Sequence, residues 1–225
     1  RFPPPPPVAP RLGTGTPLVV VRLGPLNDRG PDWSGLDPSS SGPQYVDAMA
    51  IVAFSHVDEL VETLETLREE PGDDVVPAKA HLLQTGELLA ASNPDDPELV
   101  AAGLVHDIAT ALGYRDEAHE FAGAHLVTPL FGTRVGALVA GHVDAKRYLV
   151  ATEAAYGSIL SADSTFSLRA QGGAMDDSEI SSFESRADWR AMLALRRADD
   201  AAKVPGARVR PVVEWRGLLE STAKR

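Results

Sequence analysis

From residue 46 onward apolar side chains recur at three- and four-residue spacing, and no stretch alternates apolar and polar residues over the length of a strand. That spacing lays apolar groups along one face of a helix, whereas a half-buried strand needs a period of two. The chain therefore reads as all-α, a bundle of about five to seven helices. The helical runs are 47–70, "PAKAHLLQTGELLAAS" (77–92), "NPDDPELVAAGLVHDIATAL" (93–112), 116–131, 132–160 and 176–203, the last stopped by Pro205-Gly206. Pro77 in a first turn and Asn-Asp-Pro ahead of a second run are ordinary helix starts.

Residues 1–45 break this pattern. They are dense in Pro, Gly and Ser, and Pro3 to Pro7 favour a polyproline II extension. Three regions follow: a Pro/Gly-rich extension (1–45), a helical domain (46–206) and a C-terminal tail (207–225). With 225 residues, of which 44% are hydrophobic and only 6% aromatic, the chain can build one sizeable core from Ala, Leu and Val. The formal charge of -11 excludes nucleic acid and anionic membrane as natural partners, because both need a basic face. Zero cysteines exclude disulfides, thiolate zinc sites and iron–sulfur clusters. No apolar run reaches the roughly 18–20 residues of a membrane span, and no charged-then-apolar leader opens the sequence, so the expected setting is cytoplasmic.

Within "GLVHDIATALG" (103–113), His106 and Asp107 interrupt an apolar helix. A buried ionised carboxylate without a partner costs several kcal/mol. A metal ion supplies such a partner and also uses a neutral imidazole; a buried salt bridge or a satisfied core histidine is the other reading of this pair alone. The ordered series carries more weight. His81 begins one helix, His106-Asp107 lies in the next, His119 begins a third, His142 sits on a fourth, and Asp199 falls on the last.

The series, with "HLLQTGELL" (81–89), "AAGLVHDIA" (101–109), "HEFAGAHL" (119–126), "GHVDAKRYL" (141–149), "LSADSTFSLRAQGGAM" (160–175) and "LRRADDAAKVPG" (195–206), resembles the HD-domain superfamily. The closer resemblance is to its mixed-valent diiron oxygenase branch, related to inositol oxygenase and containing enzymes that cleave 1-hydroxyphosphonates. It covers about residues 74–206. The resemblance implies a first metal held by His81, His106, Asp107 and Asp199, and a second held by His119, His142 and the other oxygen of Asp107. Asp200 competes with Asp199 by position, but the motif favours Asp199. His125 and His56 are expected to stand outside the site. The implied cofactor is two iron ions, Fe(II)/Fe(III), although the nitrogen and oxygen ligands would also accept manganese or zinc.

Two metal ions carry more positive charge than two ligating carboxylates cancel, so the centre favours a small anionic substrate despite the acidic chain. Lys146, four residues after His142, shares its helix face. The resemblance places this lysine and Ser164 on the phosphonate, and it implies dioxygen as co-substrate. Two departures bear on the substrate. Relatives read "HDIGH", with a second histidine where this chain has Thr110; they also carry a lid glutamate and tyrosine where this chain has Asp74 and Pro71. The expected activity is oxygen-dependent cleavage of a small 1-hydroxyphosphonate or oxidation of a related hydroxylated anion. A dimetal phosphohydrolase is the alternative, and a non-catalytic metal-binding protein a third reading; nothing in the residues fixes the oligomeric state.

Overall fold

The helical reading holds in a computed structural model, which describes residues 53–69, 75–114 and 118–224. The extension at 1–45, Pro71 and Asp74 lie outside the described residues. Ten helical segments follow one another among the described residues: α1 Val57–Thr66, α2 Ala78–Ser92, α3 Pro97–Val105, α4 Ile108–Ala111, α5 His119–Phe131, α6 Thr133–Thr152, α7 Ala162–Ala170, α8 Asp177–Glu184, α9 Trp189–Ala201 and α10 Val212–Thr222. A 3-10 turn, Tyr156–Ser158, separates α6 from α7. No strand occurs among the described residues.

The segments outnumber the six runs read from sequence because two runs are each divided and because α7 and α10 form outside them. Run 176–203 becomes α8 and α9. Run 93–112 becomes α3 and α4, divided at His106-Asp107, where Asp107 leaves helical geometry at φ -106° and ψ 21°. The apolar pattern gave no sign of this break, since the side chains around it (Leu104, Val105, Ile108 and Ala109) are all buried.

Local chemistry explains the starts and turns. Asp96 accepts a hydrogen bond from the Leu99 amide and Pro97 opens α3, a common N-terminal pairing. Asp176 and Glu179 form a reciprocal capping box on α8. Gly132 joins α5 to α6 at φ 99°, in the left-handed region that favours glycine.

Helix α6 is central, packing on α3, α5 and α9, while α2 packs on α3 and α9. The α2–α3 crossing is close at Gly86, where a Cβ would collide with the Leu104 side chain. That approach brings His81 of α2 within reach of His106. At the N-terminal ends, Arg134 of α6 donates to both carboxylate oxygens of Asp96 at 2.7 Å, to Glu98 at 3.0 Å and to Asp188 ahead of α9 at 3.0 Å. One guanidinium thus ties together the starts of the three helices that lead to His106, His142 and Asp199. Beyond residue 206 the chain forms α10, which buries Trp215 and Leu219 and packs on α1 and α3. No described helix is long and apolar enough to cross a membrane.

Candidate metal centre

Six side chains from five segments converge. His81 lies one turn into α2, His106 and Asp107 occupy the break between α3 and α4, His119 opens α5, His142 lies mid-α6, and Asp199 lies near the end of α9. They fall into two triads, His81–His106–Asp199 and Asp107–His119–His142. In the first, Nε2 of His81 stands 3.2 Å from Nε2 of His106 and 3.2 Å from Oδ1 of Asp199. In the second, Nε2 of His119 stands 3.3 Å from Nε2 of His142, and both lie 3.5 Å from Oδ1 of Asp107. The other oxygen of Asp107, Oδ2, faces the first triad, 3.6 Å from His106 Nε2 and 3.8 Å from His81 Nε2. One carboxylate therefore presents an oxygen to each triad. Such spacings are close to the edges of a ligand shell drawn at about 2.0–2.2 Å around a common ion.

Hydrogen bonding shows why the triads suit cations. Nδ1 of His81 donates to the Ala202 carbonyl at 3.0 Å, Nδ1 of His106 to Gly103 at 2.9 Å, and Nδ1 of His142 to Val139 at 2.6 Å. A carbonyl only accepts, so Nδ1 carries a proton and Nε2, turned inward, is the nitrogen left to bind a cation. Two lone pairs at 3.2 Å repel each other unless a cation or a proton lies between them. Oδ1 of Asp107 is buried and has no hydrogen-bond partner. A buried orphan carboxylate oxygen is costly, and an ion shared with His119 and His142 would satisfy it. The residues fit a pair of metal ions.

The titration tendencies agree. Burial opposes the charged form of His106, but Asp107 and Asp199 outweigh it and raise its pKa to about 9. Ligation must displace that proton, so metal uptake releases protons. Burial works against ionising Asp107, yet His106 and His142 hold it well below the usual carboxylate range. Asp199 is likewise held down against burial, chiefly by Arg196 and then by His106 and His81. Burial pushes His119 down and its neighbour Glu120 up.

Beside the second triad, Lys146 is buried at 2% exposure on α6 and donates from Nζ to Ser167 Oγ at 2.8 Å. Burial, followed by the charge of Arg196, lowers its pKa to about 8. Ser164 is buried on α7, and its Oγ receives Arg196 Nη2 at 3.3 Å and Lys203 Nζ at 3.4 Å. Three cationic side chains and the hydroxyls of Ser161, Ser164 and Ser167 thus share one polar region. Asp200 turns away from the triads to pair with Arg196 and Tyr156. Thr110 is exposed on α4, and the break at Asp107 ends the continuous register that would set it on the His106 face. His56 is exposed at the start of α1 and His125 is exposed on α5; neither joins a triad.

Sequence reasoning missed Arg196, Lys203 and Glu120. The first two stand three residues before and four after Asp199 in the quoted "LRRADDAAKVPG", a spacing that sets them on the ligand's side of α9 and its exit. Glu120 directly follows His119, and adjacency alone gives no signal.

No protein-family model matches the chain. It is 36% identical over 177 residues to hydroxymethylphosphonate dioxygenase of Gimesia maris, covering 72% of this chain and 88% of that protein. It is also 36% identical over 141 residues to 1-hydroxy-2-(trimethylamino)ethylphosphonate dioxygenase (glycine-betaine-forming) of Leisingera caerulea, covering 59% of this chain and 71% of that protein. A likeness of this depth over most of both relatives, on an all-helical frame with paired His/Asp triads, makes the chain a member of the HD-domain oxygenase branch and an oxygenase enzyme.

Proposed function

We propose that this oxygenase holds two iron ions, in a mixed-valent Fe(II)/Fe(III) pair, and uses dioxygen to cleave the carbon–phosphorus bond of a small 1-hydroxyphosphonate in the cytoplasm. One observation carries the reading: Asp107 turns Oδ2 to His81 and His106 and Oδ1 to His119 and His142, the arrangement of a carboxylate bridging two ions. The first ion would take His81, His106, Asp107 and Asp199; the second, His119, His142 and Asp107. When bound, the pair would supply Lewis acidity toward the substrate oxygens and a one-electron redox couple through which the substrate's own electrons reach dioxygen. The names of the two relatives support a hydroxyphosphonate as the substrate class.

The chain's own groups bind and orient that substrate. Lys146 carries a proton at neutral pH and sits on the helix of His142, so its ammonium meets the phosphonate oxygens beside the second ion. Ser164 presents a hydroxyl already polarised by Arg196 and Lys203. The depth of Lys146 and Ser164 keeps water away from the anion and strengthens both contacts. Asp74 is proposed to meet the variable end of the substrate; as an acid, it suits a cationic substituent. The overall change is balanced when the hydroxylated carbon becomes a carboxylate and phosphorus leaves as inorganic phosphate, consuming one dioxygen.

Iron-loaded protein offered hydroxymethylphosphonate and its substituted analogues, with and without oxygen, tests the reading. Inorganic phosphate formed only with oxygen, together with the matching carboxylate, is expected. Phosphate released equally without oxygen would mean metal-assisted hydrolysis instead, and no turnover across the panel would exclude these hydroxyphosphonates as the substrate.

A further inference from the structure

Three of the four triad histidines rest Nδ1 on a main-chain carbonyl, and one does not. Behind the ring of His119, 3.5 Å from Nδ1, stands Oε2 of Glu120. Glu120 is 6% exposed, and this oxygen accepts no hydrogen bond. Leaving a carboxylate oxygen buried and unpartnered is unfavourable, so its position calls for a cause.

The charges of the two triads supply one. The first seat has Asp199 to itself and shares Asp107. The second only shares Asp107 and otherwise offers two neutral rings. Arg196 narrows this contrast without removing it: its Nη1 grips one oxygen of Asp199 at 2.7 Å, while the other oxygen still faces His81 at 3.2 Å. At the second seat negative charge is scarce, and Glu120 lies directly behind one of its ligands. A carboxylate placed behind a metal-bound imidazole fixes the ring's tautomer and makes it a stronger ligand. It also adds negative charge without occupying a coordination position.

We propose that Glu120 is the charge partner of the second metal seat, acting through the His119 ring to hold the second ion while leaving its open positions to substrate and dioxygen. The inference rests on the six-ligand reading above. Glu120 touches neither substrate nor ion in this role; it is a positioning residue.

Full-length protein stripped with a chelator and then titrated with zinc(II) against a chromophoric competitor yields a dissociation constant for each ion. In Glu120→Gln, which keeps size and hydrogen-bonding capacity but loses the charge, the second constant should weaken about 10–100-fold while the first is unchanged. The metal-free variant should melt at or above the wild-type temperature, since the change removes an unpartnered buried carboxylate. A second constant equal to wild type overturns the role of Glu120 and leaves the six ligands in place. Weakening of both constants with a lowered melting temperature assigns Glu120 to packing and overturns the proposal too. If wild-type protein never takes up a second ion, the six-ligand reading falls and the inference falls with it.

Discussion

At the scale of single residues, ligand and substrate contacts separate by what their loss removes. His142→Ala deletes one of the three groups facing the second ion and should leave about one metal per chain by elemental analysis, with the first seat intact. Lys146→Ala removes the proposed charge-assisted contact to the anion and should keep both metals while weakening phosphonate binding about ten- to a hundredfold. Loss of metal in the lysine variant would contradict its role. The Lys146 pKa near 8 also fixes a direction with pH. The ammonium is present below that value and lost above it, so the phosphonate dissociation constant should rise as pH climbs through about 8. That dependence should disappear in Lys146→Ala. The six triad residues and Lys146 were singled out in the sequence by their ordered series and by strings such as "HVDAKRYL", and the structure brings the six together. Arg196 and Glu120 were not, because they stand beside Asp199 and His119 rather than in the triads, and no residue spacing is peculiar to such neighbours.

At the scale of elements, the site depends on how helices meet. Arg134 ties the beginnings of α3, α6 and α9 through Asp96, Glu98 and Asp188. Arg134→Met leaves three half-exposed carboxylates together and should cost about 1–3 kcal/mol of stability, read as a melting temperature lowered by several degrees. Asp96 is held below its ordinary pKa chiefly by this arginine. Its share of the stability is present above the unfolded carboxyl pKa and is lost as pH falls through the folded value. The variant should therefore melt with a weaker dependence on acid than wild type. Gly86→Ala drives a methyl into Leu104 at the α2–α3 crossing and should destabilise by about 1–3 kcal/mol, with the first metal held less tightly as His81 moves from His106. Helix type was legible from apolar spacing, and several helix starts from Asp, Asn and Pro. The division of α3 from α4 was not. Buried side chains continue across it, and the turn is held by tertiary contacts of His106 and Asp107 that no local pattern encodes.

At the scale of the whole molecule, an acidic chain encloses two triads of metal-ligating side chains. Four imidazoles and two carboxylates are set face to face, so metal binding and folding stability are linked. With free metal at about a hundred times its dissociation constant, one site adds about 2.7 kcal/mol, or roughly 5–10 °C in melting temperature for a chain of this size. Chelation should lower the melting temperature by at least that amount. The most direct measurement of the bridging geometry is anomalous diffraction at the iron edge from iron-loaded crystals. Two peaks about 3.5–4 Å apart are expected, one between His81, His106 and Asp199, the other between His119 and His142, with one oxygen of Asp107 on each. A single peak, or two peaks with Asp107 bound to only one, would contradict the bridge on which the proposed chemistry depends.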